Sequence, residues 1–334
     1  MPRVFSGMRP TGKLHLGHLA GALYNWKALQ EQEQNECFYC IVDWHALMTD
    51  YADPRMVQQN CTEVFLDWLG AGIDPEKSVV FIQSHVPEHA ELHLAFSMIT
   101  PLGWLERNPT YKEQKQNINY KDLNNYAFLG YPVLQAADIL IYKGEKVPVG
   151  EDQSAHLELS REIARRFNNF YGPVFPEPET ILTPTPKVPG TDGRKMSKSY
   201  DNSITISDEP EMLWDKLRTM KTDPARMRKT DVGDPAKCPV WDIHLVFNKN
   251  EEERAELDHG CRTAGIGCIE CKKKLNGHIL EVLKPIQERR ATFAKDPAKL
   301  QELLLLGATK ARKVGSQTMK EVVDAMGLIR GSFR

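Results

Sequence analysis

The first half of the chain alternates between short apolar runs and longer segments with helical spacing. Residues 3–6, 37–43 and 79–84 form largely apolar runs that predict buried strands. Between them, apolar positions recur at helical spacing over 17–29 and 57–68, which predicts amphipathic helices. Strands alternating with helices over short connections predict a parallel, doubly wound α/β sheet of the Rossmann-like type. In such sheets, ligands bind beyond the carboxyl ends of the strands.

The later segments extend this sheet and then give way to helices. A mostly apolar helix is predicted over 131–142, a strand over 147–149 and a long helix over 154–170. Beyond about residue 207 the chain is charged and helix-rich. We therefore expect an α/β domain at 1–190 and a helical domain at 191–299. A C-terminal helix within 300–334 is expected to pack back on the first domain.

Composition narrows the class of protein. A hydrophobic content of 41% is sufficient for a substantial core. The formal net charge of −2 excludes a polycationic surface, although a local basic face could still bind nucleic acid. No apolar run has the length of a signal peptide or a membrane helix, so the sequence predicts a soluble cytoplasmic protein with no membrane partner.

A glycine-rich loop links the first strand to the first helix. Its glycines match neither a Walker A loop nor a GxGxxG fingerprint, but the strand–loop–helix order leaves backbone N–H groups ready for an anion. His15 and His18 can donate to phosphate oxygens, and Gly17 lets a ring or ribose approach the backbone. The alternative for the two histidines is a structural or surface pair. Their position on this loop favours a nucleotide site.

A second candidate for phosphate binding is the loop Lys195-Met196-Ser197-Lys198-Ser199. Two ammonium groups and two hydroxyls fall within five residues, and flanking glycine and proline residues predict a loop. Such a loop suits a triphosphate, but the motif taken alone favours a solvated basic loop, and only a phosphate site elsewhere in the chain changes that preference.

The apolar helix over 131–142 carries one carboxylate, Asp138. An aspartate in such a stretch is either paired, exposed, or aimed into a pocket as an acceptor for a substrate N–H or O–H. The strand that follows ends in Gly150-Glu151-Asp152-Gln153. Acids at such a turn commonly accept hydrogen bonds from ribose hydroxyls, with capping by Asp152 as the alternative.

The cysteines fall into an early and a late group. Cys37 and Cys40 point to opposite faces of a strand and are predicted as core residues. The late four have the spacing C-x22-C-x6-C-x2-C, which predicts an all-sulfur site for zinc or an iron–sulfur cluster. These four are Cys238, Cys261, Cys268 and Cys271. The lysines at 272–274 are interpreted as RNA phosphate contacts or a solvated face.

Two motifs together resemble the signatures of the class I aminoacyl-tRNA synthetases. They are His15-Leu16-Gly17-His18 and Lys195-Met196-Ser197-Lys198-Ser199. The segments at 5–7, 131–132, 136–140 and 147–153 are similar to those of the bacterial tryptophan enzymes, and the likeness covers nearly the whole chain. The resemblance implies activation of L-tryptophan by ATP with Mg²⁺, its transfer to tRNA(Trp), an anticodon-binding role for the helical domain, and a homodimer. It also implies a [4Fe–4S] cluster on the late cysteines, with Zn²⁺ as the alternative.

The resemblance also assigns roles to individual residues. Catalytic roles fall on Lys195, Lys198, His18 and His15. ATP contacts fall on Arg9, Pro10, Thr11, Gly17, His18, Gly150, Glu151, Asp152, Val188, Lys195, Met196, Ser197, Lys198 and Ser199. Tryptophan contacts fall on Asp138, Phe5, Gly7, Gln135, Val147 and Gln153.

Three positions depart from the bacterial pattern. Many relatives have Thr and Asn where this chain has His15 and His18, and Met where it has Gln135. A polar Gln135 one helical turn from Asp138 leaves the tyrosine enzyme as an alternative. A second alternative is a non-catalytic RNA-binding or redox regulator on the same fold.

Overall fold

A central parallel sheet organises the amino-terminal part of the protein. The computed structural model describes residues 1–108, 111–112, 125–150, 154–182 and 186–329. Within them, the sheet has five strands in the order β3-β2-β1-β4-β5, all paired in parallel. The strands are β1 Arg3–Met8, β2 Glu36–Ile41, β3 Ser78–Ile82, β4 Lys146–Val149 and β5 Glu179–Leu182.

The strand order creates a switch point beside β1. The chain moves outward from β1 to β2 and β3, then returns to the other side of β1 to form β4 and β5. Helices leaving β1 and β4 diverge there and open a crevice at the carboxyl ends of the strands. The predicted doubly wound sheet is confirmed.

Helices follow most of these strands. Their bounds are α1 Leu16–His18, α2 Tyr24–Gln30, α3 Asp43–Asp50, α4 Val57–Ala71, α5 Glu88–Ser97, α6 Leu102–Glu106, α7 Tyr126–Leu140 and α8 Ser154–Tyr171. Further helices follow in the remainder of the described chain, separated by loops. These bounds are α9 Pro210–Thr219, α10 Pro239–Phe247, α11 Glu251–Arg262, α12 Cys268–Ala294 and α13 Pro297–Ala325.

The first helical region differs from the single regular helix predicted over 17–29. A π-helical segment, Leu19–Leu23, separates α1 from α2. Its sequence is Leu-Ala-Gly-Ala-Leu, and small residues offer little steric resistance to the wider turn of a π-helix. The side chains that follow His18 are thereby rotated relative to a continuous α-helix.

Two apolar clusters pack on the two faces of the sheet. Cys37 belongs to one cluster and Cys40 to the other, and both are buried, which confirms that they point to opposite faces. The first cluster continues into the carboxyl-terminal helices through Leu275, Ile279 and Leu283 of α12. The helical part of the chain therefore shares a core with the sheet.

Helix α13 runs back along the edge strand β3. Gly307 approaches that strand so closely that a Cβ at this position would lie 1.8 Å from the carbonyl oxygen of Val80. Farther along, Arg312 and Ser316 bond to Glu88 of α5. No helix in the described ranges is both long and apolar enough to cross a membrane.

Candidate active site

A cavity of about 440 Å³ opens at the carboxyl ends of β1 and β4. It lies at the switch point, and α3, α7, α8 and the start of the first helical region complete its walls. Several residues predicted from the sequence line it. They are Phe5, Gly7, Arg9, Thr11, His18, Gln135, Asp138, Val147 and Gly150.

His15 and His18 stand side by side where the chain leaves β1. Their ring centroids are 3.7 Å apart, and Nδ1 of His18 accepts the backbone N–H of His15 at 3.2 Å. Gly17 permits this arrangement, because a Cβ there would lie 3.0 Å from the His15 ring. Burial, with the nearby charge of Lys198 acting in the same direction, lowers the pKa of His15 to about 4 and that of His18 to about 3. Both rings are therefore neutral at pH 7, and Nε2 of His18 carries the proton that can be donated into the cavity.

A buried carboxylate fixes the loop that precedes these histidines. Oδ2 of Asp67 accepts the backbone N–H of Leu14 at 2.7 Å, and Oδ1 accepts Nε of Arg290 at 2.7 Å. The Asp67 side chain is 0% exposed. Arg290 belongs to α12 and also pairs with Glu63. One side chain thus connects the helical part of the chain to the loop over 9–15 between β1 and α1, which we call the histidine loop.

The two predicted phosphate-binding segments meet at Lys198. Its Nζ donates to the carbonyl oxygen of Gly12 at 2.7 Å and lies 3.4 Å from Oγ1 of Thr11. Burial lowers the pKa of Lys198 to about 8. Lys195 is exposed. The structure therefore brings Lys198 onto the histidine loop and leaves Lys195 at the surface.

Asn202 shapes the lysine loop, and the sequence reasoning missed it. Its Oδ1 accepts the N–H of Ser197 at 2.8 Å, while Nδ2 donates to Asp192 at 2.7 Å and to the carbonyl oxygen of Lys195 at 3.2 Å. The side chain is 1% exposed. Gly190 leaves room for it, because a Cβ at that glycine would lie 2.3 Å from the Asn202 amide. The loop is thus held by one buried amide.

Asp138 is buried at the inner end of the cavity. It accepts hydrogen bonds from Nε2 of His45 at 3.0 Å, Nδ1 of His89 at 2.7 Å and Nε2 of Gln83 at 2.7 Å. Burial raises its pKa, but the hydrogen bonds from His45 and His89 outweigh that effect and bring the pKa to about 2. Asp138 is therefore an ionised acceptor at pH 7.

The sequence reasoning also missed several residues of the cavity wall. His45 and His156 line the cavity, and Nε2 of His156 lies 2.7 Å from the hydroxyl of Tyr131. His45 could have been found, because it follows the carboxyl end of β2, where ligands of a parallel sheet gather. No local pattern marks His156.

Other predicted residues do not line the cavity. Pro10, Val188 and Met196 are buried elsewhere, and Val188 and Met196 pack in the core beneath it. Ser197 contributes its backbone N–H to the bond with Asn202. Glu151, Asp152 and Gln153 lie outside the described residues, and so does the side chain of Ser199.

The four late cysteines lie near one another around α10, α11 and α12. Burial raises the pKa of Cys271 to about 12, and the charges of Cys238, Cys261 and Cys268 act in the same direction. Its sulfur lies 3.4 Å from Nε2 of His244. Within the described ranges, however, no group of three or more His, Cys, Asp or Glu residues is arranged to hold a metal ion. The predicted metal centre is therefore not supported by this geometry.

The prediction for Lys272, which lies next to these cysteines, is wrong. It was predicted to contact RNA or solvent, but it is buried, and its Nζ donates to the carbonyl oxygens of Arg218 at 2.9 Å and Met220 at 2.5 Å. The reason is helical spacing, because Leu275 and Ile279 occupy the same buried face of α12. Lys272 therefore binds the carboxyl end of α9.

Comparisons with known proteins agree with this geometry. The family model described as tRNA synthetases class I (W and Y) matches residues 1–284. A tryptophan–tRNA ligase of Thermotoga maritima is 55% identical over 327 residues, covering 98% of this chain and 99% of the relative. One from Aquifex aeolicus is 46% identical, covering 98% and 100%. The crystal structure of a tryptophanyl-tRNA synthetase from Campylobacter jejuni complexed with ADP and tryptophan superposes with a TM-score of 0.88 at 35% identity, covering 98% and 100%.

Proposed function

The chain belongs to the tryptophan–tRNA ligases, within the class I tRNA synthetases, and we propose from its site how it activates L-tryptophan and charges tRNA(Trp). In the first step, a carboxylate oxygen of tryptophan attacks the α-phosphorus of ATP in line, and the bond to the β-phosphate oxygen breaks. Pyrophosphate leaves, and the product is tryptophanyl-adenylate. In the second step, a ribose hydroxyl of the tRNA attacks the acyl carbon and AMP leaves.

The protein's contribution to the first step is positioning and charge stabilisation rather than covalent chemistry. Nε2–H of His18 points into the cavity as a neutral donor to a phosphate oxygen. The Lys198 ammonium already touches the histidine loop, so the bound triphosphate lies within its reach. Lys195, exposed on the same loop, reaches the phosphates when the loop closes. Mg²⁺ enters with ATP and neutralises phosphate charge.

The amino-acid side of the cavity ends at Asp138, and this carboxylate carries the proposal for tryptophan. It is a buried, ionised acceptor on the wall of a cavity that also carries Phe5 and Val147, so it suits the one N–H of an apolar indole ring. Phe5, Gly7 and Val147 surround the ring plane, and Gln135 lies on the same face of α7 one turn before Asp138. Gln153 is assigned by the family resemblance alone.

Pyrophosphate exchange into ATP tests this function and its alternatives in one assay. The exchange is measured with each amino acid in turn, without tRNA. Exchange with tryptophan alone is the expected result. Exchange with tyrosine alone would replace the proposal by the tyrosine enzyme, and no exchange with any amino acid would favour a non-catalytic regulator.

We extend the proposal to the helical residues 191–299 as the anticodon-binding domain, with residues 1–190 as the catalytic domain and the helix from 300 onward packed on it. The contacts of α13 with β3 and α5 support that arrangement. Binding of tRNA(Trp) to the full-length Lys273→Glu variant tests whether this surface of the helical domain contacts RNA. Lys273 is suitable because it is exposed, whereas the neighbouring Lys272 is buried. We propose that the protein charges tRNA(Trp) in the cytoplasm.

A homodimer is also proposed, and exposed apolar side chains support it. Leu94 of α5 is 59% exposed, Met98 directly after that helix is 65% exposed, and Leu102 of α6 is 62% exposed. Met98→Glu should yield monomers in analytical ultracentrifugation, while Met212→Glu, at an equally apolar surface position on α9, should not. Equal sedimentation of Met98→Glu and the unmodified chain would contradict this interface.

For the late cysteines we keep the [4Fe–4S] cluster as a proposal, with zinc as its alternative. Four thiols on neighbouring helices are the donor set that such a cluster requires, although the described geometry does not collect them as ligands. When bound, the cluster would hold α10, α11 and α12 together. Iron and acid-labile sulfide in anaerobically purified protein would support the cluster. Zinc without sulfide would replace it, and neither metal would remove the site.

A further inference from the structure

A buried polar network lies behind Asp138 and has no role in the reaction described above. It consists of Gln83, His89 and Tyr142, which are each 0% exposed. Nε2 of Gln83 and Nδ1 of His89 both lie 2.7 Å from Oδ1 of Asp138. The hydroxyl of Tyr142 lies 2.6 Å from Nε2 of His89. Gln83 and His89 converge on one oxygen atom of Asp138, and Tyr142 reaches that oxygen only through His89.

The partners fix the direction of each hydrogen bond in this network. Oε1 of Gln83 accepts the backbone N–H of Trp44 at 3.1 Å, so its amide NH₂ must face Asp138. An ionised carboxylate only accepts, so Nδ1 of His89 carries a proton. In the neutral ring, Nε2 then accepts the O–H of Tyr142. The donors run from Tyr142 through His89 to Asp138.

The arrangement determines how many acceptor sites Asp138 can offer to a ligand. An ionised carboxylate has about four lone-pair sites, two on each oxygen. Gln83 and His89 occupy both sites on Oδ1, and His45 occupies one on Oδ2 at 3.0 Å. Counting donors from the described part of the chain, one acceptor site remains, and it is on Oδ2. His45 and Asp138 both line the cavity, so this site faces the ligand.

We propose that Gln83, His89 and Tyr142 are specificity-determining positioning residues. Gln83 and His89 saturate Oδ1, and Tyr142 orients His89, so that Asp138 presents a single acceptor site to the side chain of the amino acid. The inference deepens the proposed role of Asp138 and rests on it. A ring with one N–H donor fills the remaining site. A ring with an acceptor atom or none leaves the buried carboxylate short of a partner, which is a strong basis for rejection.

The surroundings of Tyr142 explain how the network is held. Its ring stacks on Phe38 of β2 at 4.6 Å between centroids, and on Phe5 of β1 at 5.7 Å. Phe5 also lines the cavity. The sheet therefore positions Tyr142, Tyr142 orients His89, and His89 orients the carboxylate.

The test compares two amino acids that differ at one atom. Pyrophosphate exchange is measured with L-tryptophan and with β-(1-benzothiophen-3-yl)-L-alanine, in which sulfur replaces the indole N–H. The readout is the ratio of the two kcat/KM values. His89→Leu should lower this ratio at least about tenfold, because it removes a hydrogen bond to a charged group. Tyr142→Phe should lower it by about threefold, because it removes only the donor to His89.

A conservative variant separates positioning from packing. In His89→Asn the side-chain amide can replace Nδ1–H but cannot reach Tyr142, so the ratio should return to within about threefold of the unmodified enzyme. Tyr39→Phe is the matched control. It removes another buried hydroxyl, which donates to the carbonyl oxygen of Trp26 at 2.7 Å in the opposite core, and it should leave the ratio unchanged.

The outcomes are distinct. If His89→Leu and Tyr142→Phe lower kcat/KM equally for both amino acids, the network is only structural and the inference is wrong. If His89→Leu does not fold, as judged by circular dichroism, the ratio for Tyr142→Phe decides alone, since that variant removes one oxygen atom. Failure of the unmodified enzyme to use tryptophan would overturn the proposed function instead.

Discussion

Nε of Arg290 lies 2.7 Å from Oδ1 of Asp67, although 223 positions separate the two residues in the sequence. The bond joins α12 to α4 beneath the histidine loop. The other oxygen of the same carboxylate holds the N–H of Leu14, the residue that precedes His15. The carboxyl-terminal helices are therefore connected through two hydrogen bonds to the loop that we propose binds ATP.

Replacing Arg290 should damage both stability and ATP binding. Arg290→Met leaves Asp67 as an unpaired buried carboxylate, which should lower the free energy of unfolding by about 3–5 kcal/mol. It should also raise KM for ATP, because the Leu14 anchor loosens. Urea unfolding and pyrophosphate exchange measure the two effects.

Arg289 offers a matched control for that variant on the same helix. It donates one hydrogen bond to the carbonyl oxygen of Gly70, so Arg289→Met should cost only about 1 kcal/mol and leave KM for ATP unchanged. The proposed connection would be refuted by equal KM values for the two variants.

Substitutions of His18 should show whether a neutral N–H donor at this position is sufficient for activation. His18→Asn keeps an N–H donor in the cavity and should retain activation within about tenfold, whereas His18→Ala should lose about 10²–10³ in kcat. Tryptophan binding, measured by fluorescence titration, should be similar in both variants. A His18→Asn enzyme as impaired as His18→Ala would show that the imidazole itself is required.

The pH dependence of the reaction should show an alkaline limb set by Lys198. Its pKa is lowered to about 8 by burial, so the ammonium is charged below that pH and neutral above it. The titratable groups with which it interacts are the Asp67 carboxyl and the imidazoles of His15 and His18, both neutral in this pH range. Accordingly, kcat/KM for ATP should fall about tenfold per pH unit above pH ~8.

Lys198→Arg checks that assignment, because a guanidinium stays charged throughout this range. The alkaline limb should move upward by more than about one pH unit. An unchanged limb would assign it to another group. The pKa values of His15 and His18 are about 4 and about 3, so these residues should contribute no inflection to the pH profile between pH 6 and 8.

Two helical glycines should respond oppositely to the same substitution. Gly307→Ala drives a methyl group into the Val80 carbonyl and should lower the free energy of unfolding by about 1–3 kcal/mol. Gly277→Ala, on α12, meets no described atom within 4 Å and should raise it by about 0.5–1 kcal/mol. Denaturant titration compares the pair, and stabilisation by Gly307→Ala would contradict the close approach of α13.

The sheet was predictable because its signals are local. Apolar runs of strand length between helical patterns identify β1, β2 and β3 without knowledge of what packs on them. The opposite facing of Cys37 and Cys40 follows from the period of a strand alone. The burial of Lys272 was predictable in the same local way but was missed. Its helical spacing from Leu275 and Ile279 places it on the buried face of α12.

The inner wall of the site was not predictable in this way. The donors to Asp138 lie 93, 55 and 49 positions from it along the chain, and no periodicity relates His45, Gln83 and His89 to an aspartate on another helix. The burial of the Asn202 amide could not be predicted from the sequence either, because a polar residue after a glycine-rich loop is ordinarily exposed. Such contacts depend on the tertiary fold.

The passage of α13 along β3 has a consequence for how the protein is made. Strand β3 is an edge of the sheet, and its exposed backbone groups are a template for pairing with other chains. Helix α13, which approaches the Val80 carbonyl through Gly307, is synthesised long after β3. During synthesis the edge is therefore open until α13 has been made, and nascent chains on one messenger are most prone to associate in that interval.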